Sequence, residues 1–176
     1  SVASRGLGDV YKRQIIMGSI NFEKLDKLAK LSVSTGVALQ KGQNLLITAP
    51  SDALPLVRLI AKHAYKAGAG LVTPFFSDSE ITLARYKFAS DESFDVAADW
   101  LYKGMGEAFD NNTARMAIAG DDPMLLSDMD PERVARANKA NSKAYKPARE
   151  RITQFDINWN IIACLLYTSP SPRDAT

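Results

Sequence analysis

Short apolar runs alternate with amphipathic helical stretches along this chain, and the alternation constrains its fold more than any other feature. Each of the first three runs has the length of a strand and is followed by apolar residues that recur every three or four positions. Such an order is typical of βαβ units. It predicts a three-layer α/β fold with a mainly parallel sheet and helices on both faces. The predicted strands are Leu45–Thr48, Leu71–Phe76, Met116–Ala119 and Ile157–Ala163.

Small polar residues follow three of the predicted strands. Right-handed crossovers would place the carboxyl ends of these strands along one edge of the sheet, where α/β proteins usually bind their ligands. Ser51, Asp78, Asp121 and Asp122 are therefore candidates for the wall of a cavity. Paired carboxylates such as Asp121 and Asp122 can bind a hard cation or share a proton. Beside a glycine and a proline, however, aspartate is also a common turn former.

Capping residues and prolines predict where several helices begin or end. Ser51–Asp52 is expected to cap a helix that carries Pro55 in its first turn. Ser77–Glu80 matches a capping box. Asp130 is expected to cap the last helix, which Pro147 should kink or break.

The same periodicity predicts which apolar side chains form the core. They are expected to be mostly buried, on sheet and helix faces of one hydrophobic layer. The predicted core residues are Leu45, Ile47, Val72, Phe75, Ile118, Ile161, Leu56, Leu59 and Ile60.

The two ends of the chain can be encoded by a single stretch of DNA read on opposite strands. Codons for Asp9–Gln14 are, with a shift of one base, the reverse complement of codons for Cys164–Ser169. This DNA resembles the adapter and transposon end used to prepare sequencing libraries. We therefore expect residues 1–14 and 164–176 to be adapter-derived and not to pack with the domain. Residues 15–163 would then be one gene-encoded α/β domain that breaks off in mid-frame.

Composition excludes several classes of function. The flanks hold four of the 22 Lys and Arg residues and two of the 20 Asp and Glu residues, so the central region has 18 of each and no net charge. That balance gives no support for binding to nucleic acid or to an anionic membrane. The only cysteine, Cys164, lies in a flank, which fits a cytoplasmic protein without disulfides.

No complete catalytic constellation is present in the sequence. His63, the only histidine, lies on or beside an apolar helical stripe and has no acidic residue three or four positions away. Such a histidine is more often a packed side chain than a metal ligand or general base, because a site needs partners within reach. Gly68–Gly70 follows a helix and precedes a strand, which is the wrong order for a dinucleotide-binding loop.

Several stretches together resemble the amino-terminal domain of the metal-dependent aminopeptidases typified by aminopeptidase T and aminopeptidase S. The resemblance extends in order over Met17–Ile162. The stretches that carry it are Asn21–Leu25, Leu39–Gln43, Ala53–Arg58, Ala64–Ala69, Leu83–Tyr86, Pro123–Leu126 and Ala140–Pro147.

The resemblance implies a parent enzyme that is a cytoplasmic exopeptidase, acts on peptides and is a homodimer. It further implies two divalent metal ions of the zinc, cobalt or magnesium class, which would activate the attacking water. The family's glutamate, histidine and aspartate ligands lie in a carboxyl-terminal domain that this chain lacks. No catalytic, cofactor-binding or metal-binding residue is therefore assigned here, and the fragment alone is expected to be inactive and to bind no metal. Its domain would form a wall of the active-site cavity.

Two other classes of function remain open at this point. One is a non-catalytic α/β module that binds a small ligand or a nucleotide. The other is a purely structural interaction domain. Metal-ligand residues encoded downstream of Ala163 would favour the peptidase, whereas a nearby stop codon would favour a module.

Overall fold

The computed structural model describes residues 21–120 and 122–163, which form alternating helices and strands. The predicted adapter flanks and Asp121 lie outside the described residues. The α-helices are α1 (Phe22–Leu31), α2 (Leu54–Lys66), α3 (Ser79–Phe88), α4 (Asp99–Asp110) and α5 (Pro131–Thr153). The strands are β1 (Leu45–Pro50), β2 (Val72–Ser77), β3 (Ala114–Ala119) and β4 (Trp159–Ala163). A π-helical turn (Ser32–Gly36) and two 3-10 turns (Ser51–Ala53 and Asp91–Asp95) complete the order.

The four strands form one parallel sheet in the order β2-β1-β3-β4. The chain first adds β2 on one side of β1 and then crosses over to add β3 and β4 on the other side. The order of addition therefore reverses between β1 and β3. The predicted α/β fold with a parallel sheet is confirmed.

The core is divided between the two faces of the sheet. On one face, α1 and α2 pack over Leu45 and Ile47, which are both fully buried. On the other face, α4 and α5 pack over Leu46, which is 4% exposed. Successive strand residues point to opposite faces, so a strand covered on both sides needs an unbroken apolar run. The sheet therefore separates two hydrophobic layers, where the sequence predicted one, and a third buried cluster joins α3, the Asp91–Asp95 turn and α5.

Most of the predicted core residues are buried, but one prediction is wrong. Leu45, Ile47, Leu56, Ile60 and Ile118 are buried, while Val72, Phe75 and Leu59 are half-buried and pack against the two clusters. Ile161 is 57% exposed. It lies in β4, at the edge of the described sheet and beyond Trp159, which does pack against the α4–α5 cluster. Local periodicity does not distinguish an edge strand from a central one.

Three predictions about helix ends are corrected by the structure. The N-cap of α2 is Ala53, whose methyl side chain makes no capping bond, and the Ser51 hydroxyl bonds to Asp78 instead. The N-cap of α3 is Asp78, so the cap begins one residue after the predicted Ser77. α5 continues through Pro147, so the predicted break is wrong, while the predicted kink stays a prediction. The predicted cap of α5 by Asp130 is confirmed, since its carboxylate accepts a hydrogen bond from the N–H of Glu132.

None of the described helices combines the length and the apolar character that crossing a bilayer requires.

Candidate functional site

The order of strands reverses between β1 and β3, and the carboxyl edge of the sheet at this reversal is where a ligand-binding crevice is expected. β1 pairs with β2 up to Pro50 and Ser77, but its pairing with β3 ends earlier, at Thr48 and Ala117. The last two residues of β1 are therefore paired with β2 but not with β3. In open parallel sheets, ligands bind at such a reversal.

Ser51 and Asp78 are brought together at this edge. Each residue directly follows the last pair of the β1–β2 register. The Ser51 hydroxyl donates to Asp78 Oδ2 at 2.8 Å. Asp78 Oδ1 accepts from the backbone N–H groups of Glu80 and Ile81 at 2.9 and 3.1 Å. Both carboxylate oxygens of Asp78 therefore have structural partners, and the residue joins the loop after β1 to the start of α3.

The other two predicted wall residues lie after β3. Asp122 is exposed, and its Oδ1 accepts a hydrogen bond from the N–H of Met124 at 2.8 Å. The sequence allowed two roles for Asp122, a turn former or a cavity-wall residue, and this bond within its own loop is typical of a turn former. Asp121 lies outside the described residues. The structure thus joins Ser51 to Asp78, while Asp122 is bonded locally.

His63 has an acidic partner that the sequence did not reveal. Its Nε2 lies 3.0 Å from Asp26 Oδ1, which links α2 to α1. The hydrogen bond from His63 lowers the pKa of Asp26 below its ordinary value, and the charges of His63, Lys62 and Lys66 act in the same direction. The His63 side chain is 14% exposed. The two residues are 37 positions apart, so no helical spacing could have indicated the contact.

The His63–Asp26 pair does not belong to the crevice. α2 begins near the carboxyl edge of the sheet with Leu54, and His63 follows nine residues later. At 1.5 Å per residue, this separation is about 14 Å along the helix. The pair is a contact between helices, in agreement with the interpretation of His63 as a packed side chain.

An apolar groove also lies away from the strand reversal. It has a volume of about 320 Å³ and runs between α4 and the face of β2, where Phe75, Trp100 and Met105 are among its lining residues. Leu71 and Thr113, which precede β2 and β3, place one end of the groove at the amino edge of the sheet.

The described residues do not supply a metal site. Within residues 21–120 and 122–163, no three or more His, Cys, Asp or Glu side chains are close enough together to hold an ion. The side-chain donors of these described residues therefore do not fit the metal centre of a peptidase.

Comparison with known proteins assigns the family. The family described as thermophilic metalloprotease (M29) matches residues 21–175, and the chain belongs to it. This family is a class of metal-dependent peptidases, in agreement with the resemblance seen in the sequence. The match continues past Ala163 into the stretch that we assign to the adapter, so that boundary stays a prediction.

The individual relatives are aminopeptidases. Aminopeptidase T of Thermus thermophilus is 47% identical over 138 residues, which are 78% of this chain and 34% of the relative. Aminopeptidase AmpS of Bacillus subtilis is 36% identical over 140 residues, which are 80% of this chain and 34% of the relative. The chain therefore spans about a third of the length of these relatives, in their amino-terminal portion.

A solved structure supports the same assignment. Wild-type AmpT from Thermus thermophilus superimposes with a TM-score of 0.79 at 45% sequence identity, over 82% of this chain and 36% of that one. The predicted family and fold are both confirmed by these matches.

Proposed function

We propose that this chain is the amino-terminal α/β domain of a metal-dependent aminopeptidase that removes amino-terminal residues from peptides. The identity of 47% to the amino-terminal portion of aminopeptidase T carries the proposal. The parallel sheet, whose strand order reverses between β1 and β3, supports it because this fold places a ligand-facing surface at one edge.

We propose further that the parent enzyme uses two divalent ions of the zinc, cobalt or magnesium class, is a cytoplasmic homodimer and takes peptides as substrates. Its metal ligands would lie in a carboxyl-terminal domain outside the described residues. Membership of a metalloprotease family supports the metal dependence. The balanced charge of residues 15–163 fits a protein that binds neither nucleic acid nor membranes.

Within that enzyme, we propose that the carboxyl edge of the sheet forms a wall of the substrate cavity. The edge carries acidic side chains, and Asp122 is exposed there. A carboxylate near the cavity would attract the positively charged amino terminus of a peptide. Ser51, Asp78, Asp121 and Asp122 are the proposed wall residues.

The complete reading frame provides the test of this function. The gene would be sequenced beyond codon 163, and the whole protein would be expressed and assayed on leucine p-nitroanilide. We expect turnover that a chelator abolishes and that added zinc, cobalt or magnesium restores. The 176-residue chain, assayed in parallel, is the matched control and should give no turnover. A whole protein without encoded metal ligands and without turnover would refute the peptidase and favour the binding module.

The proposed wall has its own test in the complete enzyme. Asp122→Asn keeps the side-chain oxygen that accepts from Met124 and removes only the charge, and Asp121→Asn should be made with it. We expect kcat/KM for short peptides to fall by more than about twofold, or about 0.4 kcal/mol of transition-state stabilisation. A smaller change would leave Asp122 with a structural role in its turn.

A further inference from the structure

The end of β1 stays paired with β2 after its pairing with β3 has ended, and a side-chain hydrogen bond extends this link beyond the strand. The last backbone pair that β1 makes with β3 is Thr48 with Ala117, two residues before the strand ends. Beyond that point, the Ser51–Asp78 hydrogen bond continues the β1–β2 register by one step. The Ser77 hydroxyl adds a longer contact of 3.5 Å to the carbonyl of Ala49.

Asp78 is itself fixed in place by the start of α3. Its Oδ1 accepts two backbone N–H groups, and its carbonyl accepts from both the N–H and the hydroxyl of Thr82 at 3.0 and 2.9 Å. These four bonds to the start of α3, two of them to the carboxylate, leave Asp78 little freedom to follow the loop that contains Ser51. Asp78 is therefore held in place by α3, and it anchors the loop through its hydrogen bond to Ser51.

From this geometry we propose that Asp78 is a positioning residue that acts through Ser51. By holding the loop after β1 against β2, it keeps the crevice between β1 and β3 open for the substrate peptide. This inference rests on the proposed function, and it gives Ser51 and Asp78 a role different from direct contact with substrate. A loop that only shapes the crevice affects where the peptide is held, so its loss should weaken the binding of substrate and transition state alike. Such uniform binding is expressed in KM.

Ser51→Ala is the informative variant, since it removes the link and leaves the Asp78 cap of α3 intact. In the complete enzyme, we expect KM for short peptides to rise about fivefold. Loss of one ordinary hydrogen bond lowers the population of the binding-competent loop by about this factor. The kcat should stay within about twofold of the wild type. Ser51→Thr keeps the hydroxyl and should restore KM. Ser79→Ala is the control, because Ser79 is exposed at the first position of α3 and should leave both constants unchanged.

Amide hydrogen exchange gives a second readout that does not depend on activity. In the 176-residue chain, Ser51→Ala should accelerate exchange at residues 51–54 relative to Ser79→Ala, while exchange within α3 stays the same. Equal exchange in the two variants would overturn the inference even if KM rose. If the enzyme is active and both Ser51→Ala and Ser79→Ala have the wild-type KM, the inference about Asp78 is also overturned. The proposed function would still stand. An inactive wild-type enzyme would instead overturn the proposed function.

Discussion

Two isoleucines on neighbouring strands offer a direct test of how the sheet is covered. Ile118 in β3 is 4% exposed, whereas Ile161 in β4 is 57% exposed. Ile118→Ala removes three carbon atoms, and a buried methylene contributes about 0.8 kcal/mol, so the transfer loss alone is about 2.4 kcal/mol. The cavity left behind raises the expected loss in free energy of unfolding to about 3–4 kcal/mol.

Ile161→Ala is the matched control, because it removes the same atoms from the adjacent strand. Only about two-fifths of that residue is shielded from solvent, so the same transfer scale gives a loss of about 1 kcal/mol. Both free energies would be measured by urea denaturation of the 176-residue chain, followed by circular dichroism. The m-values of the two variants should agree if both unfold from the same compact state.

Two results would contradict the expected difference between Ile118→Ala and Ile161→Ala. A loss below about 1 kcal/mol for Ile118→Ala would place that side chain on the surface, where substitutions usually change stability by about 0.5 kcal/mol or less. Equal losses for the two variants would mean that Ile161 is covered as well as Ile118 is.

Two further predictions concern glycine positions and pH. Gly70→Ala should destabilise the chain by about 1–3 kcal/mol, because its new methyl carbon would lie 2.8 Å from the backbone oxygen of Gly42. Gly104→Ala has open space within a helix and should stabilise the chain by about 0.5–1 kcal/mol. Thermal unfolding compares the two variants, and equal shifts would contradict the packing at Gly70. The hydrogen bond from His63 lowers the pKa of Asp26 in the folded state. The charged carboxylate therefore stabilises the fold above the unfolded-state pKa of about 3.9, and this contribution is lost as pH falls through the lower pKa of the folded state. Asp26→Asn should therefore destabilise the chain more at pH 6 than at pH 3, as measured by denaturation at each pH, and a pH-independent effect would show that the charge of Asp26 is irrelevant.

Local sequence determined the type and order of the secondary structure. The apolar run around Leu45–Thr48 and the Asp130 cap act over a few residues, where side-chain alternation and capping bonds are decided by near neighbours. The alternation of strands and helices then implied a parallel sheet, because parallel neighbours need a crossover connection. The resemblance to the aminopeptidases likewise depended on residues that could be read directly.

Tertiary structure alone decided which strand lies at an edge and which polar groups meet. Ser51 looked like a helix cap, yet its hydroxyl bonds to Asp78, 27 positions away. His63 pairs with Asp26 across two helices. The pairing of β1 with β3 ends two residues before β1 does, which no local pattern indicates. These contacts depend on distances between segments remote in the chain, and periodicity and capping patterns carry information only over a turn or two of local structure.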